Sequence, residues 1–300
     1  LDSLKQTYPN AEIDVVVEPR AKSAYRVSKS VSDTIVFDFK DRNSLADWAN
    51  LLGILRDRYY DIAIALGQRW QVGLLLWLTG IPARVGYATS AGKVFLTHPA
   101  PLKPDQYAAH MYHDLLQGLG SNSPCSDLAI SIPKQDLEWA EAEQKRLGIA
   151  ESGYVLIHGG SSQLAQAKGI DKIYPVQSWA KIVQDFRQKQ PDLPMVVVQG
   201  PEDKELVLAL VGACPGLKPV MPPDIGKLAA MIAGANLMLC TDSAPMHLAV
   251  ALKVYTVALF GPTDPAKLLP PSDKFLGIKS STGKMADISP QQVLEPIWGG

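Results

Sequence analysis

Twice along the chain, short uninterrupted apolar runs rich in Val, Ile and Leu alternate with longer segments whose apolar residues recur at helical spacing. That alternation restricts the fold more than any single motif does. In the first series the pattern predicts strands at 12–17, 34–38 and 61–66, and helices at 21–30, 44–58, 70–79 and 110–119. In the second it predicts strands at 154–159, 195–200, 217–221, 236–241 and 254–260. Helices are expected there at 137–147, 177–190, 202–211, 225–233 and 243–252. The strand runs do not alternate polar with apolar, which suits parallel strands covered by helices on both faces. Two such series predict an α/β protein with two Rossmann-like, doubly wound parallel-sheet domains facing a central cleft. Between them, SNSPCSDLAISIPKQD (121–136) is rich in Ser, Pro and Asp and has little period. The domains are therefore drawn at 1–133 and 134–300. A chain of 300 residues is comfortable for two cores.

The apolar content of 47% and charged content of 20% are globular. A formal net charge of −1 argues against a nucleic-acid binder that relies on a broad cationic face. Cys125, Cys214 and Cys240 are far apart and have neither metal-ligand nor redox spacing, so they are expected to be reduced thiols in a cytoplasmic protein. The longest apolar stretch, 72–81, is too short to cross a bilayer. The opening LDSLKQTYPN has no initiator Met and reads as the tail of a helix, with the expectation that a first strand precedes it.

In open α/β sheets, ligands sit beyond the carboxyl ends of the strands. Polar residues of the second series gather there. His158, Ser161, Ser162 and then Lys172 follow the first strand; Glu202 and Glu205 follow the second. Asp242, Ser243 and His247 follow the fourth, and GPTDP (261–265) follows the last. In DSAPMH, Ser243 is a good N-cap whose hydroxyl would accept a first-turn N–H. Pro245 is tolerated because first-turn amides lack helical partners. Free N–H groups and the helix dipole suit a phosphate. His247 is one turn on, facing the same guest. Asp242 would repel a phosphate, so it is expected on backbone amides or on a ligand hydroxyl. Each residue also has a plainer reading. Ser-x-Pro is ordinary capping, and a His one turn in is often a core residue. Ser161 and Ser162 suit a loop, Lys172 a solvated surface, and Glu205 a helix dipole. No GxGxxG, GxxxxGK[ST], Asp-x-Asp or His/Cys cluster occurs, so neither a dinucleotide nor a metal is expected.

TDSAPMHLAVALKVYTVALFGPTDP (241–265) resembles the T-D-S/T-G-x-x-H-L-A-A-A-L and F-G-x-T-x-P signature of glycosyltransferase family 9, the lipopolysaccharide heptosyltransferases. HGGSSQLAQAKGIDKIYPVQSWAKIV (158–183) resembles that family's H-P-G-A-S/T-x-x-K-x-W-P block, and RVGY (84–87) its R-I-G-Y/F. The resemblance implies a GT-B fold with the nucleotide-sugar on the C-terminal domain and the acceptor on the N-terminal side. It implies Ser161, Ser162 and Lys172 on the diphosphate, with Lys168 as a weaker substitute for Lys172. Asp242, Ser243, Ala244 and His247 would meet the donor's phosphate and sugar, Glu205 or Glu202 the ribose, and Arg69 an anionic acceptor. The reaction would be a metal-free, inverting transfer that needs no cofactor. The donor would be a nucleotide-diphosphate sugar, probably ADP-linked by the family's habit, and the acceptor a lipid-linked or envelope saccharide. Peripheral contact with the cytoplasmic face of the inner membrane goes with such an acceptor. Nucleic acid is not an expected partner. Ala244 replaces the family's Gly, Gly160 its common Ala, and the serine-to-lysine loop is longer than usual. The family's presumed base is an Asp on a loop ahead of Leu1, so no residue here is assigned as base. Two other readings remain: a degenerate nucleotide-sugar-binding protein and a GT-B-type epimerase.

Overall fold

Runs such as YVLIHG and MVVVQG suit strands because β-branched side chains pack well on a pleated surface. A computed structural model of the chain describes residues 1–40, 43–89, 91–160 and 169–299. It divides into two compact units, Leu1–Asp127 and Leu128–Gly300.

Unit 1 carries strands β1 (Asp14–Val17), β2 (Asp33–Val36), β3 (Ile62–Ile64), β4 (Ala83–Tyr87) and β5 (His98–Ala100). They form two parallel pieces, β1-β2 and β3-β4-β5. Its α-helices are α1 (Asp2–Thr7), α2 (Leu45–Asp57), α3 (Trp70–Thr79) and α4 (Ala108–His113). Helix α2 begins in a capping box: Ser44 Oγ accepts the Asp47 N–H, and the Asp47 carboxylate accepts the Ser44 N–H. Leu51 and Leu55 of α2 and Leu75 of α3 pack on Ile35 of β2.

Three details of unit 1 differ from expectation. The segment expected as a helix at 21–30 is a 3-10 helix, Pro19–Val27. Only Val27 in it is buried, so little packing rewards a full α-helix. The helix expected at 110–119 is α4 followed by a 3-10 turn, Asp114–Leu119. There the backbone runs close to β5, because a Cβ on Gly118 would stand 2.8 Å from the His98 carbonyl oxygen. β4, which carries RVGY, and β5 lie in what reads as an irregular stretch.

Unit 2 has one six-stranded parallel sheet. Its strands are β6 (Val155–His158), β7 (Met195–Val198), β8 (Lys218–Val220), β9 (Leu237–Thr241), β10 (Thr256–Phe260) and β11 (Phe275–Lys279). The order across the sheet is β11-β10-β9-β6-β7-β8. Read from β8, this is the doubly wound order of a Rossmann sheet, and the reversal falls between β6 and β9. The helices are α5 (Lys134–Leu147), α6 (Val176–Lys189), α7 (Lys204–Ala213), α8 (Ile225–Ala233), α9 (Ala244–Ala251), α10 (Pro265–Leu268) and α11 (Pro290–Trp298). β11, α10 and α11 are additions to the expected elements; FLGIK is half-exposed at the sheet edge and lacks the continuous apolar run of inner strands. The core beneath β6, β7, β9 and β10 is built around Trp179, Ile182, Val183 and Phe186 of α6. Each such side chain, taken out of water, contributes about 1.5–3 kcal/mol.

Candidate functional site

Because β6 and β9 are neighbours, with His158 paired in register to Cys240, their carboxyl ends open side by side. β7 lies on the far side of β6, and β10 on the far side of β9. The loops leaving these four strands bring His158, Asp203, Asp242, Ser243 and Thr263 together. Lys172 arrives on the segment ahead of α6.

Asp242 accepts two donors on one oxygen. Lys172 Nζ lies 2.5 Å from Oδ2 and Thr263 Oγ1 2.7 Å from it. The pair is largely enclosed, with side-chain exposure of 19% for Lys172 and 6% for Asp242. Of the partners expected for Asp242, backbone amides are not met among the described residues; a lysine and a threonine are, because the segments after β6 and β10 converge on it. Lys172 is a paired cation, which sets aside its plainer reading as a solvated charge.

The GPTDP loop has a definite job. It delivers Thr263 to Asp242, then turns into α10, where Asp264 caps by accepting the Ala266 N–H at 3.0 Å. Lys279 of β11 fastens the loop, its Nζ donating to the Gly261 and Thr263 carbonyls at 2.5 and 2.7 Å.

Ser243 occupies the N-cap position of α9, but its hydroxyl does not cap. The Oγ donates to the Thr241 carbonyl at 3.1 Å and lies 3.1 Å from His158 Nδ1. The expected capping bond is therefore replaced, and the first turn of α9 is left without a side-chain acceptor. Ala244 is exposed there. The positively polarised start of α9, with Lys172 nearby on Asp242, is a suitable seat for a phosphate.

His247 is one turn into α9, half-buried. Burial pushes its pKa below the ordinary histidine value; Asp242 pulls it up and Lys172 pushes it down. The unfolded chain would take up this proton near about pH 6.5. The folded state resists until lower pH, so the unfolded state binds more protons in that window. Stability is thus expected to fall as pH drops below that value. Urea midpoints from pH 7.5 to 5.5 check this, and the fall should be shallower in His247→Gln.

Other candidates are not in this group. Glu205 is exposed in the first turn of α7, and Glu202 is exposed just before it. Arg69 is exposed in unit 1 at the N-cap position of α3, its Nη1 donating to the Phe39 carbonyl at 2.8 Å. Ser161, Ser162 and Lys168 lie outside the described residues. Sequence reasoning passed over Asp203 and Thr263 as site residues and left His158 unassigned. The available signal for Asp203 was its place at the start of α7, right after β7. Among the described residues, no group of three or more His, Cys, Asp or Glu is placed to hold a metal ion. No helix among them is long and apolar enough to cross a membrane.

A model of the family described as glycosyltransferase family 9 (heptosyltransferase) matches residues 48–298. Lipopolysaccharide heptosyltransferase 3 of Escherichia coli K12 is 27% identical, over 88% of this chain and 78% of its own length. Photosynthetic NDH subunit of subcomplex B 1, chloroplastic, of Arabidopsis thaliana is also 27% identical, over 95% of this chain. The chain spans 66% of that plant protein's length. The structure of E. coli heptosyltransferase WaaC with ADP-2-deoxy-2-fluoro heptose superposes with a TM-score of 0.76 at 17% identity, covering 99% of this chain and 92% of that one. The likeness shows a common fold, GT-B.

Proposed function

The chain belongs to glycosyltransferase family 9, and from that premise we propose that it transfers a heptose or similar sugar from an ADP-linked donor to a lipopolysaccharide or other cell-envelope saccharide. The observation that carries the reading is the convergence of Lys172, Asp242, Ser243 and the uncapped start of α9 at the switch point of the unit 2 sheet. The diphosphate would sit at the helix start, with Lys172 as its mobile point charge. His247 and Ala244 would line the sugar side, and Glu205 the ribose. Ser161 and Ser162 belong to the diphosphate in this reading by family resemblance. In an inverting transfer the acceptor oxygen forms its bond to the anomeric carbon as the bond to the diphosphate breaks, and the acceptor hydroxyl gives up its proton to a general base or to water. The electron pair leaves on the diphosphate, where the helix N–H groups and Lys172 meet it without a metal. Arg69 is assigned to the anionic acceptor, and a lipid-linked acceptor would bring the protein to a membrane surface.

Calorimetric titration with ADP, UDP and GDP tests the donor half. ADP-selective binding is the expected result. ADP release from ADP-heptose, with and without lipopolysaccharide core saccharide, tests the transfer. Release only with acceptor is expected. Release without acceptor would favour an epimerase or hydrolase. A second reading, a donor-binding protein without transferase activity, is favoured by the plant relative, whose name describes a subunit. Nucleotide binding without turnover would select it.

A further inference from the structure

Two residues at helix starts turn away from capping and meet on one histidine. Ser243 is at the N-cap position of α9 and Asp203 at that of α7, and neither side chain bonds its own first turn. For Ser243 the reason is local. Pro245 has no N–H, and the Met246 N–H is taken by the Ser243 carbonyl at 3.1 Å. For Asp203 the backbone, with φ −108° and ψ 7°, is not in the extended geometry of an N-cap. Its carboxylate instead fills a slot that only glycines leave open. A Cβ on Gly160 would stand 2.0 Å from Oδ1, and one on Gly200 2.7 Å from Oδ2. In that slot Oδ2 accepts the Gly200 N–H at 3.2 Å and faces His158 Nε2 at 3.3 Å. Both side chains are enclosed, at 8% exposure for His158 and 9% for Asp203.

We propose that Asp203 and His158 are positioning residues, forming one line of ion-pair and hydrogen-bond contacts that ends on Ser243 and sets its hydroxyl for the donor's diphosphate. The proposal rests on the donor-site reading above. A carboxylate can only accept, so Asp203 holds the proton on His158 Nε2 and fixes the ring plane. Because Ser243 gives its one proton to a carbonyl, Nδ1 must donate to Oγ, and the three contacts are met together when both ring nitrogens carry a proton. The Ser243 proton goes to the Thr241 carbonyl. A phosphate oxygen arriving at α9 calls for an outward O–H. The hydroxyl can turn outward without losing its place because Oγ goes on accepting the His158 Nδ1–H.

The test is a double-mutant cycle on ADP affinity. His158→Gln and Ser243→Ala are each expected to weaken ADP about tenfold, the loss of one bond to a charged group. The double variant should be no weaker than either, because both remove the same line. Asp203→Asn should lose a similar factor, and His158→Asn, which keeps a polar atom near the Nδ1 position, should recover most of it. Independent losses that multiply to about a hundredfold in the double variant would overturn the proposal. The second measurement needs no ligand: histidine ¹⁵N spectra of the wild type should show Nε2 of His158 protonated, and Asp203→Asn should move that signal. An unmoved signal would also overturn it. A wild type that binds no ADP would sink the donor reading, whereas a binding wild type without coupling would sink only this proposal.

Discussion

Lys172→Met is expected to weaken ADP binding by about tenfold to a hundredfold, the effect of losing a charge-assisted contact to a phosphate. It is also expected to cost unit 2 about 3 kcal/mol of stability. The second effect separates this lysine from a solvated one. Removing it leaves the Asp242 carboxylate, 6% exposed, with only the Thr263 hydroxyl among the described residues. Breaking an enclosed pair by deleting one partner is costly because the other charge stays behind; Lys172 keeps some contact with water, which puts the cost at the low end. Asp242→Asn in the same chain removes the stranded charge. Lys172→Met/Asp242→Asn should therefore regain most of the stability and none of the ADP affinity. Calorimetry and urea denaturation on the three variants read both quantities. A Lys172→Met protein as stable as the wild type would show that the ion pair contributes nothing to the fold. One that still binds ADP at full strength would remove Lys172 from the donor site.

Trp179→Ala should cost about 3–5 kcal/mol, the usual loss for deleting a buried aromatic from a core that cannot collapse onto the hole. Trp179 is fully buried and meets Tyr174 edge-on, with ring centroids 5.3 Å apart. Tyr174 is pinned in turn, its hydroxyl donating to the Ile288 carbonyl at 2.8 Å. The indole also lies directly under the chain after β6, since a Cβ on Gly159 would be 2.9 Å from Nε1. The cavity would open beside Gly159, the residue after His158. Urea denaturation gives the stability, and ADP titration below the transition should show a looser site. An unchanged midpoint would mean that α6 repacks freely, contrary to the density of this core.

Much of unit 2 was readable because its inner strands are continuous apolar runs with helices of clear period between them. β11 was not, because a half-exposed edge strand has no such run. In unit 1, 110–119 reads as one helix, and only the approach of Gly118 to β5 reveals the break. The site divides in the same way. Asp242, Ser243 and His247 stand in one short stretch after one strand, so their proximity is local. The partners that decide what they do come from loops after other strands. Nothing in PEDKE says that Asp203, and not its neighbours Glu202 and Glu205, turns inward. That depends on the glycine slot formed by Gly160 and Gly200, which the sheet order brings together. The hydroxyl of Ser243 was assigned to capping from its residue type, and the proline two positions on removed the N–H it would have met.

The break in the unit 1 sheet has a consequence for how the molecule breathes. β6 is hydrogen-bonded along both sides, to β7 and β9, whereas β1 and β3 each pair with a strand on one side only among the described residues. Backbone amides on a one-sided strand exchange with solvent through small local openings, while those of a central strand wait for the unit to unfold. Amide exchange along β6, beneath the proposed donor site, is therefore expected to report the unfolding of unit 2 as a whole.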